Sequence, residues 1–168
     1  MIFMSQSGLT EPARQAEWDQ WYTTHLQVML TVNGIDSAQR FKLMQGQNAP
    51  SLAMYTVTSP EVFQDPYYLR IRGMGEWLPL IDRRYYRRTL FAGLDAAPDV
   101  PAGQILLVAD CEQPTPVLAD CAWTWLEAVA LDRSPPYRGV AVVSSAEAVR
   151  APAAGIASYR PITGRLST

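Results

Sequence analysis

The sequence predicts an α+β fold in which strands and helices alternate as βαββαβ, followed by a second, shorter run of elements. Three observations support this prediction: short apolar stretches bounded by turn residues, one long stretch with helical spacing of its aromatic residues, and a similarity between the two parts of the chain. The βαββαβ order is the ferredoxin-like plan, a sheet with helices on one face and an open second face that needs a cover. We therefore expect a ferredoxin-like unit over residues 1–95 and a partial second unit over residues 103–168.

The first unit opens with a strand, Ile2 to Ser5, that runs into a turn at Gly8. Thr10 is placed to cap a helix that has Pro12 near its first turn, and Asn33-Gly34 ends that helix. The i, i+3, i+4, i+7 spacing predicts one buried helix face, formed by Trp18, Trp21, Tyr22, His25, Leu26, Met29 and Leu30.

A hairpin follows, with strands over Ile35 to Met44 and Ser51 to Thr58. Asp65-Pro66 is a capping residue followed by proline at the first helical position, which predicts a second helix from Tyr67 to about Met74. The aromatic and β-branched content of Arg84 to Leu94 then predicts the last strand of the first unit.

Residues 95–103 have the character of a linker, and the pattern of elements starts again after them. An offset of about 105 residues places Ile2-Phe3-Met4 on Leu107-Val108-Ala109, and Trp18 on Trp123. An offset of 104 places Ala53-Met54-Tyr55 on Ala157-Ser158-Tyr159. We interpret this as an internal repeat whose second copy stops after βαββ; chance similarity is the alternative. The predicted elements of the second copy are the strand Gln104 to Asp110, the helix Pro116 to Leu131, and the strands Gly139 to Ser144 and Gly155 to Arg160.

Length and composition narrow the class of protein. With 168 residues, 48% of them hydrophobic, and a formal net charge of −2, the chain forms one ordinary domain or two small ones, and nucleic acid is not expected as its main partner. Apolar runs such as Ile105 to Ala109 are far shorter than the roughly 20 residues of a membrane span. No export signal is recognisable, so we expect a cytoplasmic protein without membrane contact.

The residue types present also bear on cofactors. One histidine and two cysteines, Cys111 and Cys121, have no familiar metal-ligand spacing, and no phosphate-binding loop is present. In a reducing compartment the two thiols are expected to stay unbridged. We therefore expect neither a metal nor a nucleotide cofactor.

Several short motifs occur in an order that resembles one protein family. They are Trp21-Tyr22-x-x-His25-Leu26 within residues 17–26, Val32-Asn33-Gly34-Ile35, Leu52-Ala53-Met54-Tyr55, Ser59-Pro60-Glu61-Val62-Phe63 and Asp65-Pro66-Tyr67. Over about residues 1–94 the chain resembles the EthD-like group of dimeric α/β barrel proteins. The resemblance implies a homodimer and chemistry without metal or cofactor on small, often aromatic or polyketide-derived molecules. The second half departs from the tandem branch of that group because it lacks the final helix and strand, so it either closes an internal barrel or extends the dimer interface.

His25 is the only side chain that normally titrates near neutrality, and it lies on the apolar stripe of the first helix. With the resemblance, we interpret it as a general acid or base whose pKa partial burial keeps near the working pH. The alternative is a core histidine that bonds to the backbone or to a tyrosine. Tyr22, one turn earlier, is placed to share the pocket and to donate a hydrogen bond to a substrate oxygen, or else to serve as a core tyrosine.

The segment between Asp65 and Arg88 carries six arginines against three acidic residues. Strand alternation directs Arg84, Tyr86 and Arg88 to one face of the sheet. An inward arginine needs an anionic partner, so a substrate carboxylate or enolate is predicted there. The alternative is a solvated edge strand protected from aggregation by its charges.

Three further residues are candidates for substrate contact. Arg40 on the second strand and Tyr55 on the third are expected to point inward. Trp77 would pack against an aromatic substrate, although tryptophan more often belongs to the core. Together with these candidate residues, the resemblance implies an isomerase, cyclase or lyase that uses general acid/base chemistry on an aromatic, dienoic or polyketide-derived acid. A non-catalytic ligand-binding or assembly protein and a cofactor-independent oxygenase are the alternatives.

Overall fold

The computed structural model describes residues 1–114, 121–144 and 155–168, and its main feature is a closed barrel of eight antiparallel strands. The order around the barrel is β1-β4-β6-β7-β5-β8-β2-β3, and β3 closes the ring by pairing with β1. A short β9, Leu166–Ser167, adds to the start of β2. The eight barrel strands are β1 Ile2–Ser7, β2 Ile35–Gln45, β3 Ser51–Val57, β4 Arg87–Ala92, β5 Gln104–Cys111, β6 Thr124–Leu131, β7 Tyr137–Ser144 and β8 Ile156–Pro161.

Two α-helices lie among the described residues, α1 over Gln15–Met29 and α2 over Pro66–Ile71. Asp65 caps α2, as its sequence predicts, because its carboxylate accepts hydrogen bonds from two backbone N–H groups of the first turn. The predicted cap of α1 is wrong: Thr10 donates from its hydroxyl to the Leu80 carbonyl, and a 3₁₀ turn over Pro12–Arg14 leads into the helix instead. No helix in the described part of the chain has the length and apolar character that crossing a membrane requires.

The same strand order occurs in the two halves of the barrel. The first half runs β4-β1-β3-β2 and the second runs β8-β5-β7-β6, so the second order is the first with every number raised by four. The halves join where β4 pairs with β6 and where β2 pairs with β8. The second half therefore closes the barrel within one chain, and no partner chain is needed to complete it.

The helix predicted over Pro116 to Leu131 is wrong from Thr124 onward, where the chain forms β6. Leu126 and Ala128 alternate into the barrel interior, which is the period-two pattern of a strand. Residues 115–120, the start of that predicted helix, lie outside the described part of the chain. A ferredoxin-like layout with helices in both halves is thus not confirmed.

The sequence offset of 105 is also one residue too large. Ile2 and Met4 of β1 face the barrel interior, as do Leu106 and Val108 of β5, so equivalent residues are 104 apart. A slip of one residue moves a side chain to the opposite face: Leu107, which the offset placed on Ile2, packs on the outside of the barrel. The offset of 104 placed residues of β3 on residues of β8. The order of the strands in the ring instead makes β3 equivalent to β7.

The segment predicted to be a linker, residues 95–103, closes one end of the barrel, and we call it the plug. Ala97 and Val100 are buried in the core of the barrel interior. Gln39 binds the plug through two hydrogen bonds to Val100. Its amide nitrogen donates to the Val100 carbonyl at 2.8 Å, and its amide oxygen accepts from the Val100 N–H at 3.2 Å. The Ala97 N–H donates to the hydroxyl of Thr56 at 2.9 Å. These buried hydrogen bonds explain why a Pro- and Ala-rich loop becomes part of the core.

Candidate active site

A cavity lies between the two α-helices and the outer face of the sheet, and we call it the helix-side cavity. It has an empty volume of about 290 Å³ including its open mouth, of which about 20 Å³ accepts the centre of a water molecule. That is room for about one water. Its polar lining consists of Ser5, Tyr22, His25, Tyr55, Tyr68, Arg72, Tyr86 and Arg88.

The structure brings together five of the eight side chains that the sequence singled out for a site. They come from three elements and the chain just before β4, because α1 and strand alternation direct them to the same space. The five that line the helix-side cavity are Tyr22, His25, Tyr55, Tyr86 and Arg88.

His25 is partly buried against the aromatic rings of α1. Its imidazole stacks on Trp21, with ring centroids 4.8 Å apart and planes inclined by 11°, and meets the edge of Tyr22 at 5.6 Å. Burial lowers the pKa of His25 from 6.5 to about 4. The imidazole is therefore neutral at pH 7 and can accept a proton, whereas an acid role in the resting protein needs a pKa nearer neutrality than this burial allows.

Three phenol groups of the cavity are kept protonated. Tyr22 and Tyr55 are buried, and burial raises the pKa of both hydroxyls, which interact with each other and, for Tyr22, with Ser5. Burial also raises the pKa of Tyr68, against the opposing effect of nearby Arg88. A neutral phenol is a hydrogen-bond donor, so these groups can donate to an oxygen that develops negative charge.

Two arginines give the cavity a positive character. Arg88 donates a hydrogen bond to the Tyr68 hydroxyl and lies over the ring of Phe3, at 5.7 Å from the centroid. Arg72, directly after α2, also lines the cavity and acts on the same Tyr68 hydroxyl. No aspartate or glutamate is among the described residues that line the cavity. The guanidinium charges therefore have no carboxylate beside them in the cavity, which suits an anionic ligand.

Tyr68, Arg72 and Ser5 were missed by the sequence reasoning. Tyr68 belongs to the short helix that Asp65 caps, Arg72 follows the last residue of that helix, and the cap fixes where the helix starts. Helical spacing of four residues places them on one side. That spacing was a usable signal, but which side faces the sheet depends on how α2 packs.

Arg40 does not reach the cavity, contrary to the expectation that it contacts substrate. It is fully buried behind Tyr22, with its guanidinium carbon 4.2 Å from the centroid of that ring. Its Nη1 lies 2.9 Å from a carboxylate oxygen of Asp19, and Nη2 donates to the Ser51 hydroxyl at 2.9 Å. Arg40 is thus a buried ion-pair partner that opposes the burial-driven rise in the pKa of Tyr22.

Trp77 and Arg84 are also outside the helix-side cavity. Trp77 is buried against Trp18, with centroids 5.3 Å apart, and is covered by Arg14, so it belongs to the core. Arg84 precedes β4 in a turn where the carboxylate of Asp82 binds both its backbone N–H and its guanidinium. Because β4 begins at Arg87 and not at Arg84, strand alternation does not extend to Arg84.

Among the described residues, no group of three His, Cys, Asp or Glu side chains is placed to hold a metal ion. The donor set of the helix-side cavity, one imidazole with phenols and guanidinium groups, is suited to binding an organic anion. Comparison of the chain with protein-family models, with curated proteins and with solved structures finds no match.

Proposed function

We propose that the chain is a small-molecule enzyme that moves a proton on an anionic aromatic or conjugated substrate bound in the helix-side cavity. The observation that carries the proposal is the convergence of a neutral imidazole, protonated phenols and two arginines in a cavity that no described carboxylate lines. Isomerase, cyclase and lyase reactions can each start with such a proton transfer. The strand order β4-β1-β3-β2, with α1 and α2 on one face, also supports describing the first half as ferredoxin-like.

Each group has a role that follows from its environment. His25 accepts the proton, because its lowered pKa leaves it unprotonated. Arg72 and Arg88 neutralise the carboxylate of the substrate. The hydroxyls of Tyr22 and Tyr55 donate to the oxygen on which charge develops, and their burial away from water strengthens that interaction.

Binding of the anion also changes His25. A negative charge beside the imidazole favours its protonated form, so the pKa of His25 rises towards neutrality when substrate is bound. The free protein therefore keeps the base unprotonated, and the bound complex makes it a stronger base.

The space in the cavity sets a condition on this proposal. About 20 Å³ for water centres is too little for an aromatic ring, so a wall must move when substrate enters. The segment Arg72–Met74 forms one wall, and Gly73 within it has a φ of +105° with no atom within 4 Å of the place a Cβ would take. We expect Arg72 and Gly73 to be the part of the wall that moves, because both are exposed, whereas Met74 is buried in the core.

The proposal is tested by following the His25 ring protons by NMR over pH 3–8 with benzoate, cinnamate and sorbate. With one histidine in the chain the signal is unambiguous. We expect at least one acid to raise the pKa of His25 by about one unit, which is a roughly tenfold preference for the protonated ring. The double variant Arg72→Gln/Arg88→Gln is expected to abolish the shift, whereas Arg70→Gln, an exposed arginine of α2, leaves it intact. No shift with any acid contradicts the proposal.

A ligand-binding protein is the second candidate, and the low pKa of His25 favours it because a base of pKa about 4 is weak in the free protein. An absorbance assay distinguishes an enzyme from a binding protein. The acid that binds is incubated with the protein, and its conversion is followed over time. An enzyme converts it and loses about a hundredfold or more of its rate in His25→Gln. A binding protein holds the acid unchanged.

A further inference from the structure

The end of the barrel opposite the plug carries a second cavity, which we call the barrel-mouth cavity. It accepts water centres over about 230 Å³, against about 20 Å³ for the helix-side cavity. The strand pairing shows where this cavity lies. Its lining residues Gln6 and Asp110 are near the C-terminal ends of β1 and β5. The N-terminal end of β1 is at the plug, because Ile2 pairs with Thr56, which binds the plug. Eight-stranded barrels are wide enough to hold one small ligand, and here the space is left at the mouth.

The floor of this cavity, formed by Gln6 and Asp110, is held by a buried arginine, Arg138. Arg138 is 1% exposed and donates to both carboxylate oxygens of Asp110, at 2.6 and 2.8 Å, and to the amide oxygen of Gln6 at 2.9 Å. Its guanidinium carbon lies 5.3 Å from the centroid of Phe91. Burying such a pair rarely adds stability compared with apolar residues. Its effect here is to hold Asp110 and Gln6 in fixed orientations at the bottom of the cavity.

The equivalent position in the first half shows that the fold does not require a charge at this level of the barrel. Asp110 is the cross-strand partner of Arg138, and Gln6, 104 residues before Asp110, is the cross-strand partner of Leu52. Leu52 is a buried core residue of the barrel interior. The second half therefore has an ion pair where the first half has a glutamine and a leucine.

Two arginines supply hydrogen-bond donors to the wall of the cavity. Arg84 and Arg87 line the cavity, with side chains 79% and 46% exposed. Their partners Asp82 and Asp132 are not among the described lining residues. Asp82 binds Nε and Nη2 of Arg84, so that Nη1 of this guanidinium takes no part in the pair. The pair of Arg87 with Asp132 is a long one, at 3.5 Å, and is weak at this exposure. Asp110 is the one acid among the described lining residues, and Arg138 already compensates its charge.

We propose that the barrel-mouth cavity binds a small oxyanion, a carboxylate or phosphate group, through the guanidinium groups of Arg84 and Arg87 above a floor fixed by Arg138. The amide nitrogens of Gln47 and Asn48 at the rim and the hydroxyl of Tyr85 supply further donors of the kind that such oxygens accept. This site is independent of His25, because Gln6 and Arg87 face it while their neighbours Ser5 and Arg88 line the helix-side cavity.

Isothermal titration of the full chain at low salt with inorganic phosphate and, separately, with succinate tests the proposal. We expect saturable binding of at least one probe with Kd of about 1 mM or tighter. The double variant Arg84→Gln/Arg87→Gln is expected to weaken it by about tenfold or more. Arg83→Gln is the matched control, since Arg83 is exposed, carries the same charge and is not among the described lining residues.

The outcomes separate clearly. Binding of phosphate alone identifies the ligand as a phosphate group, and binding of succinate alone identifies a carboxylate. Absence of saturable binding by both probes overturns the proposal. Anion binding that is weakened equally in Arg83→Gln and in the double variant also overturns it. The anion would then be attracted by the overall positive charge of the segment between Asp65 and Arg88 and not by a specific site.

Discussion

Arg87 and Arg88 are adjacent on β4, yet their side chains line different cavities on opposite faces of the same sheet. Ser5 and Gln6 on β1 repeat the relationship, with Ser5 in the helix-side cavity and Gln6 in the barrel-mouth cavity. The alternation of side chains along a strand is the cause. One strand thereby supplies an arginine to each of two sites, and neighbouring residues can be tested as independent functions.

The first prediction concerns pH and stability. His25 has a pKa of about 4 in the folded protein and about 6.5 when unfolded, so the unfolded chain takes up a proton first as the pH falls. Stability is fully present above pH 6.5 and is lost as the pH falls towards 4. Between pH 7 and pH 4.5 the loss from this group is about 2 to 3 kcal/mol. Urea unfolding measures the free energy of unfolding at pH 7 and at pH 4.5. The change between the two pH values is expected to be smaller by that amount in His25→Phe than in the unchanged protein. An equal pH difference in both proteins would refute the burial of His25.

The second prediction concerns the buried pair behind Tyr22. Asp19→Asn leaves Arg40 charged and fully buried, so we expect a loss of about 3 to 5 kcal/mol in the free energy of unfolding. Arg40→Met is expected to cost less, because Asp19 is 31% exposed and water can solvate it. Urea denaturation at pH 7 measures both. Glu17→Gln, which removes an exposed pair, is the control and is expected to change stability by less than about 1 kcal/mol. The reverse order of the two losses would contradict the structure.

The third prediction concerns the floor of the barrel-mouth cavity. Arg138→Leu removes the partner of Asp110 and is expected to cost about 2 to 4 kcal/mol. The double variant Asp110→Gln/Arg138→Leu copies the arrangement of Gln6 and Leu52 in the first half, so we expect stability within about 1 kcal/mol of the unchanged protein. Thermal or urea unfolding measures the recovery. A double variant no more stable than Arg138→Leu would show that the ion pair is needed for folding.

The fourth prediction concerns the plug. Gln39→Ala removes both hydrogen bonds to the buried backbone of Val100, at a cost of about 2 to 3 kcal/mol. Amide hydrogen exchange at Ala97 and Val100 is expected to quicken, while exchange in β5 changes only as far as global stability does. Gln45→Ala, an exposed glutamine at the end of the same strand, serves as the control. Unchanged exchange at Val100 would mean that Gln39 does not hold the plug.

The first half was predicted well because its signals are local. The aromatic spacing of α1, the cap at Asp65 and the strand Ser51–Val57 each depend on residues within a few positions of one another. The second half was predicted less well: Trp123 to Leu131 has apolar residues at spacings that suit either a helix or a strand. Pairing of β6 with β4 and β7 decides for the strand, and that pairing lies outside any local window.

The sequence by itself determined the elements of the first half, the single titratable imidazole and the positive segment between Asp65 and Arg88. Only the tertiary structure decided which faces of these helices and strands pack against each other. Arg138 binds Gln6 across 132 positions of the chain, and Gln39 binds Val100 across 61. Local periodicity states that a side chain has a buried face, but it does not state what covers that face. Closure of the barrel brings residues from distant segments together, and it thereby turned a predicted linker into a plug, placed Arg40 behind Tyr22, and directed Arg87 and Arg88 to separate cavities.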